Sequence, residues 1–211
     1  MTEKLQINGQ NFSLHPSGAM FWEEQEALLI SDVHLGKISH FRKFGSAVPQ
    51  KAIAENFRRL TAAVEYFNPV NLLFMGDLFH SSLNAEWDLF AAWIEEQSAK
   101  VILIAGNHDI ISENKYEQLG IKIYSEISLN GILLTHHPEI REEHFNICGH
   151  LHPGFKLRGR GRQSLGLPCF HKMDRQLIMP AFGEFTGNFW ISPAADDQIF
   201  AITKKEVILV S

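Results

Sequence analysis

Five short polar clusters, each directly following an apolar run, hold most of the residues able to do chemistry. They are Ser31-Asp32-Val33-His34, Gly76-Asp77-Leu78-Phe79-His80, Gly106-Asn107-His108-Asp109, Thr135-His136-His137 and Gly149-His150-Leu151-His152. Carboxylates, imidazoles and an amide oxygen, with no thiolate among them, suit borderline-hard divalent ions such as Mn²⁺, Fe²⁺, Zn²⁺ or Ni²⁺. In extended chain, residues two apart share a face. Asp32 with His34, and His150 with His152, can therefore each offer two ligands from one short segment. A glycine before Asp77, Asn107 and His150 lets the backbone turn sharply where a strand ends. Six or seven mixed ligands are more than one ion needs, so two ions are expected, with a carboxylate such as Asp77 between them. Each cluster alone is commonplace: Gly-Asp is often a turn, and Gly-His-x-His a hydrogen-bonded loop pair. The ordered set of five has little packing value and is the signal.

Such clusters need strand ends to hold them. Residues 27–30, 72–75, 101–105, 132–135 and 145–148 read as short buried strands. Helical spacing of Ile53, Phe57, Leu60, Val64 and Phe67 predicts a helix over 49–67, closed by Asn68-Pro69. A second helix is expected over 85–99, with Leu89, Trp93 and Phe90 inward. The opening residues read as three short strands, 5–7, 12–14 and 20–22, joined by turns at Asn8-Gly9 and Pro16-Ser17-Gly18. Asn130-Gly131 between 127–129 and 132–135 is a hairpin signal. Further strands are expected at 155–157, 177–179, 199–202 and 207–210. Strand–helix alternation giving way to a strand-rich half predicts a mixed α/β layered sandwich in one domain over residues 1–211.

Composition narrows the class. Of 211 residues, 45% are apolar and 20% charged, which excludes a disordered or coiled-coil chain. Two cysteines make neither a disulfide framework nor a thiolate zinc site, so a reducing, cytoplasmic setting is expected. No signal peptide or membrane-spanning run is read, and no membrane association is expected. The net charge of −5 argues against bulk nonspecific nucleic-acid binding but leaves room for a local basic patch.

Asp32-x-His34, Gly76-Asp77, Gly106-Asn107-His108-Asp109, His136 and Gly149-His150-x-His152 match in order the signature of the calcineurin-like metallophosphoesterases. A closer resemblance runs along nearly the whole chain. Asp32-Val33-His34-Leu35-Gly36-Lys37, His40-Phe41-Arg42, Gly76-Asp77-Leu78-Phe79-His80, Leu167-Pro168-Cys169-Phe170 and Pro180–Gly187 resemble the small bacterial ligase-associated DNA damage response endonucleases. The resemblance implies a four-layer α-β-β-α sandwich of two mixed sheets with a metal pair at strand ends. It implies one ion on Asp32, His34, Asp77 and His152, and another on Asp77, Asn107, His136 and His150. His137 is the alternative to His136. Mn²⁺ is the first choice of metal, with Fe²⁺, Zn²⁺ or Ni²⁺ also fitting. His108 is then no ligand but the group that acts on the leaving oxygen, and Asp109 orients its ring. Two ions 3.5–4 Å apart supply a hydroxide near neutral pH and neutralise the phosphate.

Lys37, His40, His80 and Arg158 are the expected substrate contacts. Lys156, Arg158, Arg160 and Arg162 alternate just after the last ligands, as a strip for a polyanion would. Phe182 and Phe185 read first as packing, then as a substrate wall or homodimer contact. The expected activity is a two-metal phosphodiesterase on DNA, a nuclease of DNA repair with a ligase or helicase as associate. The alternatives are a phosphoesterase for a small nucleotide or phosphoprotein, or a non-catalytic binding module. The complete ligand set and His108 argue against the last.

Overall fold

The computed structural model describes residues 1–38, 51–80, 83–159, 161, 163–184 and 186–210, with residues 51 and 52 described by their backbone alone. Two mixed sheets lie face to face. The first runs in chain order: β1 (Glu3–Ile7), β2 (Gln10–Leu14), β3 (Met20–Trp22), β4 (Ala27–Ile30), β5 (Asn71–Phe74), β6 (Lys100–Ile104) and β7 (Lys122–Tyr124). β1 to β4 pair antiparallel, through the turns expected at Asn8-Gly9 and residues 16–18, and β4 to β7 pair parallel. The parallel crossovers carry α1 (Lys51–Phe67), between β4 and β5, and α2 (Ala85–Glu95), between β5 and β6. A short α3 (Glu113–Gln118) precedes β7.

The second sheet contains β8 (Ile127–Leu129), β9 (Ile132–Leu134), β10 (Phe145–Cys148), β11 (Pro153–Arg158), β12 (Ser164–Lys172), β13 (Gln176–Ile178), β14 (Phe189–Trp190), β15 (Gln198–Ile202) and β16 (Val207–Leu209). β8 and β9 form the expected hairpin, and β10 runs parallel to β9 and β13.

Period-2 alternation divides the apolar side chains of the central strands between two cores. Leu28, Ile30, Leu72, Phe74, Val101 and Leu103 face Leu60 of α1 and Trp87, Phe90, Trp93 and Ile94 of α2. Leu29, Leu73, Met75 and Ile104 face the other way, onto Ile132, Leu134, Ile147, Phe170 and Leu177 of the second sheet. α3 buries Tyr116 in the first of these cores. The two mixed sheets and the helical layer on the first are as expected. Among the described residues no α-helix packs on the outer face of the second sheet.

The expected helix over 85–99 stops at Glu95, and the face assigned to it needs one correction. Asn84 caps its start, accepting from the Glu86 N–H at 2.9 Å. Phe90 and Trp93 are buried, but Leu89 is 51% exposed. Trp87, Phe90, Trp93 and Ile94 form the i, i+3, i+6, i+7 stripe that faces the sheet, and Leu89 lies outside it. Phe182 is fully buried, as its packing role requires, with Arg59 4.6 Å above its ring. The backbone beside it is stitched to the site: the N–H groups of Phe182 and Gly183 donate to Ser31 and Asp32 carbonyls at 2.9 and 3.1 Å.

Candidate metal centre

The five polar clusters follow β4, β5, β6, β9 and β10, at the carboxyl ends of parallel strands in two facing sheets, where α/β ligand sites form. Backbone bonds extend the strand pairing into the loops. Asp32 N–H donates to the Gly76 carbonyl at 3.1 Å, His34 N–H to Asp77 at 2.9 Å, and Gly149 N–H to His136 at 3.1 Å.

Two donor groups result. In the first, His152 Nε2 lies 3.1 Å from Asp32 Oδ1 and 3.5 Å from His34 Nε2, which is itself 3.8 Å from Asp77 Oδ2. In the second, His136 Nε2 is ringed by Asp77 Oδ1 at 3.3 Å, Asn107 Oδ1 at 3.2 Å and His150 Nδ1 at 3.3 Å. The two oxygens of Asp77 thus face different groups. Asp32, His34 and His152 offer atoms within 4.8 Å of one another, as do Asp32, Asp77 and His136. His136 is buried, whereas the neighbouring His137 is exposed and, among the described residues, clusters with His136 and His150 alone.

Backbone and buried polar atoms both fit a cation. Asp32, His34, Asp77, His150 and His152 have φ of 53°, 50°, 51°, 68° and 49°, a region non-glycine residues rarely adopt and which concentrates at functional sites. Asp32 Oδ2 accepts from Ser31 Oγ at 2.6 Å and from the His150 N–H at 3.0 Å. Its other oxygen, Oδ1, is buried without a hydrogen bond and points into the first group, and His34 Nδ1 is likewise buried and unbonded. An anionic oxygen left bare among imidazoles is costly unless a cation is its partner. The donors are all oxygen and nitrogen, as the metals named above prefer.

Charge behaviour follows the packing. Burial pulls His34 down to about 3, Lys37 adding to this and Asp32 and Asp77 opposing, so its ring is neutral and able to ligate. Burial would raise Asp77, but the bond and charge of His136, the His108 N–H and His34 outweigh it and bring it to about 2. Burial lowers His136, but the hydrogen bond and charge of Asp77 more than reverse this. His150 is lowered by burial and by His137 and His136.

His108 stands at the mouth, 42% exposed, its Nε2 4.0 Å from Asp77 Oδ2. His80 stacks on it, centroids 4.9 Å apart at 26°, and His34 meets both rings edge-on. Asp109 does not orient His108 as expected. Its two oxygens accept from the backbone N–H groups of Phe79 and Gly106 at 3.1 and 2.9 Å, so it braces one ligand loop against another. Burial pushes it up to about 6, against those two bonds. Lys37 is half-buried, and burial lowers it against the pull of the Asp32 and Asp77 charges. Arg158 is exposed at the end of β11. His40, Arg42, Arg160, Arg162 and Phe185 lie outside the described residues.

The glycines act mainly through space rather than flexibility. Only Gly76 among the three has positive φ, at 87°, and a Cβ there would run into the His136 ring. A Cβ on Gly149 would strike Ser31 Oγ and Asp32 Oδ2. Ser31, which the sequence reading did not single out, is the residue that fixes Asp32. Its only signal was a hydroxyl directly before the first ligand.

The calcineurin-like phosphoesterase family model matches residues 27–173. The chain belongs to that family. It is a metallophosphoesterase, a hydrolase of phosphoric esters, and its family works with divalent metals. The nuclease MPE of Pseudomonas putida is similar over 100% of both chains, with 29% identity and a TM-score of 0.84. Yfce, a phosphoesterase from E. coli, aligns over 87% of this chain and 97% of its own, with 17% identity and a TM-score of 0.43. No curated protein matches. Among the described residues of this metallophosphoesterase, no helix is long and apolar enough to cross a membrane.

Proposed function

We propose that this metallophosphoesterase is a two-metal phosphodiesterase that cuts nucleic acid, with DNA as substrate and Mn²⁺ as the first-choice metal. The observation that carries the two-metal reading is Asp77, whose separate oxygens face the His34 and His136 groups. Asp32, His34, Asp77 and His152 would hold one ion, and Asp77, Asn107, His136 and His150 the other. Bound there, divalent ions supply an acidified water and neutralise the phosphate oxygens. The chain's own residues do the rest. His108, exposed beside Asp77, gives its proton to the leaving oxygen, and His80 holds the ring by stacking. Lys37, three residues after His34, offers a cation to the phosphate. The nucleic-acid reading is supported by the full-length likeness to a nuclease. A part in DNA repair is supported by the motif strings shared with ligase-associated endonucleases.

The test is hydrolysis of bis-p-nitrophenyl phosphate and of single- and double-stranded DNA after loading with Mn²⁺. DNA cutting that falls sharply with salt supports the reading, since phosphate contacts release counterions. Rapid hydrolysis of bis-p-nitrophenyl phosphate with intact DNA would instead indicate a small-molecule phosphoesterase.

A further inference from the structure

Strand β11 leaves the metal centre directly after His152 and pairs with β12 in a ribbon that carries the Lys156 and Arg158 cations. Gly154, Lys156 and Arg158 fall on one face of β11, and their antiparallel partners Pro168, Gly166 and Ser164 share that face. Trp190 lies on it. A Cβ at Gly166 would collide with the far edge of its indole, and one at Gly154 would come within 3.0 Å of Cζ3. Two glycines on adjacent strands therefore clear a flat shelf for the ring. Lys156 Nζ stands 4.9 Å from the ring centroid, and Arg158 is exposed two residues further on.

The shelf is tied to the site. β14 pairs parallel with β11, the Phe189 N–H donates to the His152 carbonyl at 2.9 Å, and the Ile191 N–H donates to Gly154 at 2.9 Å. Gly154 is two residues from His152, about 7 Å along a strand. Trp22, Trp87 and Trp93 are buried at 1, 9 and 6% exposure, but Trp190 keeps 44% of its surface in water. A half-exposed indole with one cation over its ring, a second two residues further along the same strand face, and a backbone fastened to a candidate ligand segment has the make-up of a stacking platform on a polynucleotide track.

We infer that Trp190 stacks on an unpaired base of the strand being cut, next to the scissile phosphate. Lys156 then swings from the ring to the adjoining backbone phosphate, and Arg158 follows the strand outward. The cation–π contact that Lys156 gives up is a surface one and easily exchanged. The inference rests on the nucleic-acid reading above and adds a substrate contact outside the metal ligands.

The experiment is titration of the Mn²⁺-loaded full chain with a phosphorothioate-linked oligothymidylate that resists hydrolysis, read by fluorescence anisotropy of a label on the DNA and by tryptophan emission. Saturating oligonucleotide should quench wild-type emission. Trp190→Ala should bind roughly 5- to 150-fold more weakly, the range for one lost stacked base. Trp190→Phe should recover most of the affinity, and circular dichroism reports whether each variant is folded. Lys156→Ala should lower the salt slope of binding by about 0.7. Wild-type affinity in Trp190→Ala, or unquenched emission at saturation, overturns the platform while leaving the nuclease reading standing. A wild-type chain that hydrolyses bis-p-nitrophenyl phosphate yet binds no oligonucleotide overturns both.

Discussion

Ser31→Ala offers a sharp test of how the first ligand is held. Ser31 Oγ donates to Asp32 Oδ2 at 2.6 Å in a fully buried setting, which leaves Oδ1 free for a cation. A hydrogen bond to a charged group contributes about 1.5–3 kcal/mol. The His150 N–H still donates to the same oxygen at 3.0 Å, so the lower end applies. A loss of about 1.5 kcal/mol is close to tenfold in Kd, at the bottom of the range for removing a partner of a ligating carboxylate. Isothermal titration of the apo-protein with Mn²⁺ measures it. The expected result is one binding event weakened about tenfold and the other little changed. Unchanged affinity for both would mean that Oδ2 needs no anchor or that Asp32 holds no ion, and the reasoning fails.

Four further outcomes follow from the same geometry. Asp77→Ala should weaken both binding events in that titration, because each donor group loses an oxygen. His108→Ala should keep Mn²⁺ binding but lower kcat on DNA by ~10²–10⁴-fold, the usual contribution of a general acid; a kcat within a few-fold of wild type would remove that role. Phe90→Ala, in a fully buried site between α2 and the first sheet, should cost about 3–5 kcal/mol in urea melts, whereas exposed Leu89→Ala should stay within about 0.5 kcal/mol. His15, pulled down to about 4 by burial and the nearby amino terminus, accepts the Ser17 N–H on Nδ1 at 3.1 Å. The unfolded chain then binds the extra proton between pH 6.5 and 4, so stability present above pH 6.5 is lost as pH falls through that window. His15→Gln should flatten the fall, seen by comparing melts at pH 7 and 5.

The strand ends are legible because short, mostly apolar runs break directly into residues with no packing value, and all five such breaks converge. Long periodic segments such as α1 were legible for the same reason: many apolar side chains agree on one face. What escaped was short or mixed. α3 and β7 span too few residues to show a period, and β14 has only two. β12 was read as a motif rather than a strand, since Gly166 and Pro168 interrupt its pattern; both belong to the shelf face of the ribbon, opposite Lys156 and Gly154. The assignment of Leu89 inward failed because a helix of alternating Leu, Phe and Trp offers two plausible stripes, and only the sheet chooses between them. A carboxylate beside a histidine suggests a ring partner, whereas in Asp109 the backbone amides of two different ligand loops, at Phe79 and Gly106, occupy the two oxygens.

The central claim is that the two oxygens of Asp77 serve two ions at once. Anomalous diffraction from crystals grown with Mn²⁺ tests it most directly. Two peaks should flank the Asp77 carboxylate, one among Asp32, His34 and His152 and the other among Asn107, His136 and His150. A lone peak, or ions gathered at His137 and away from Asp77, would contradict it.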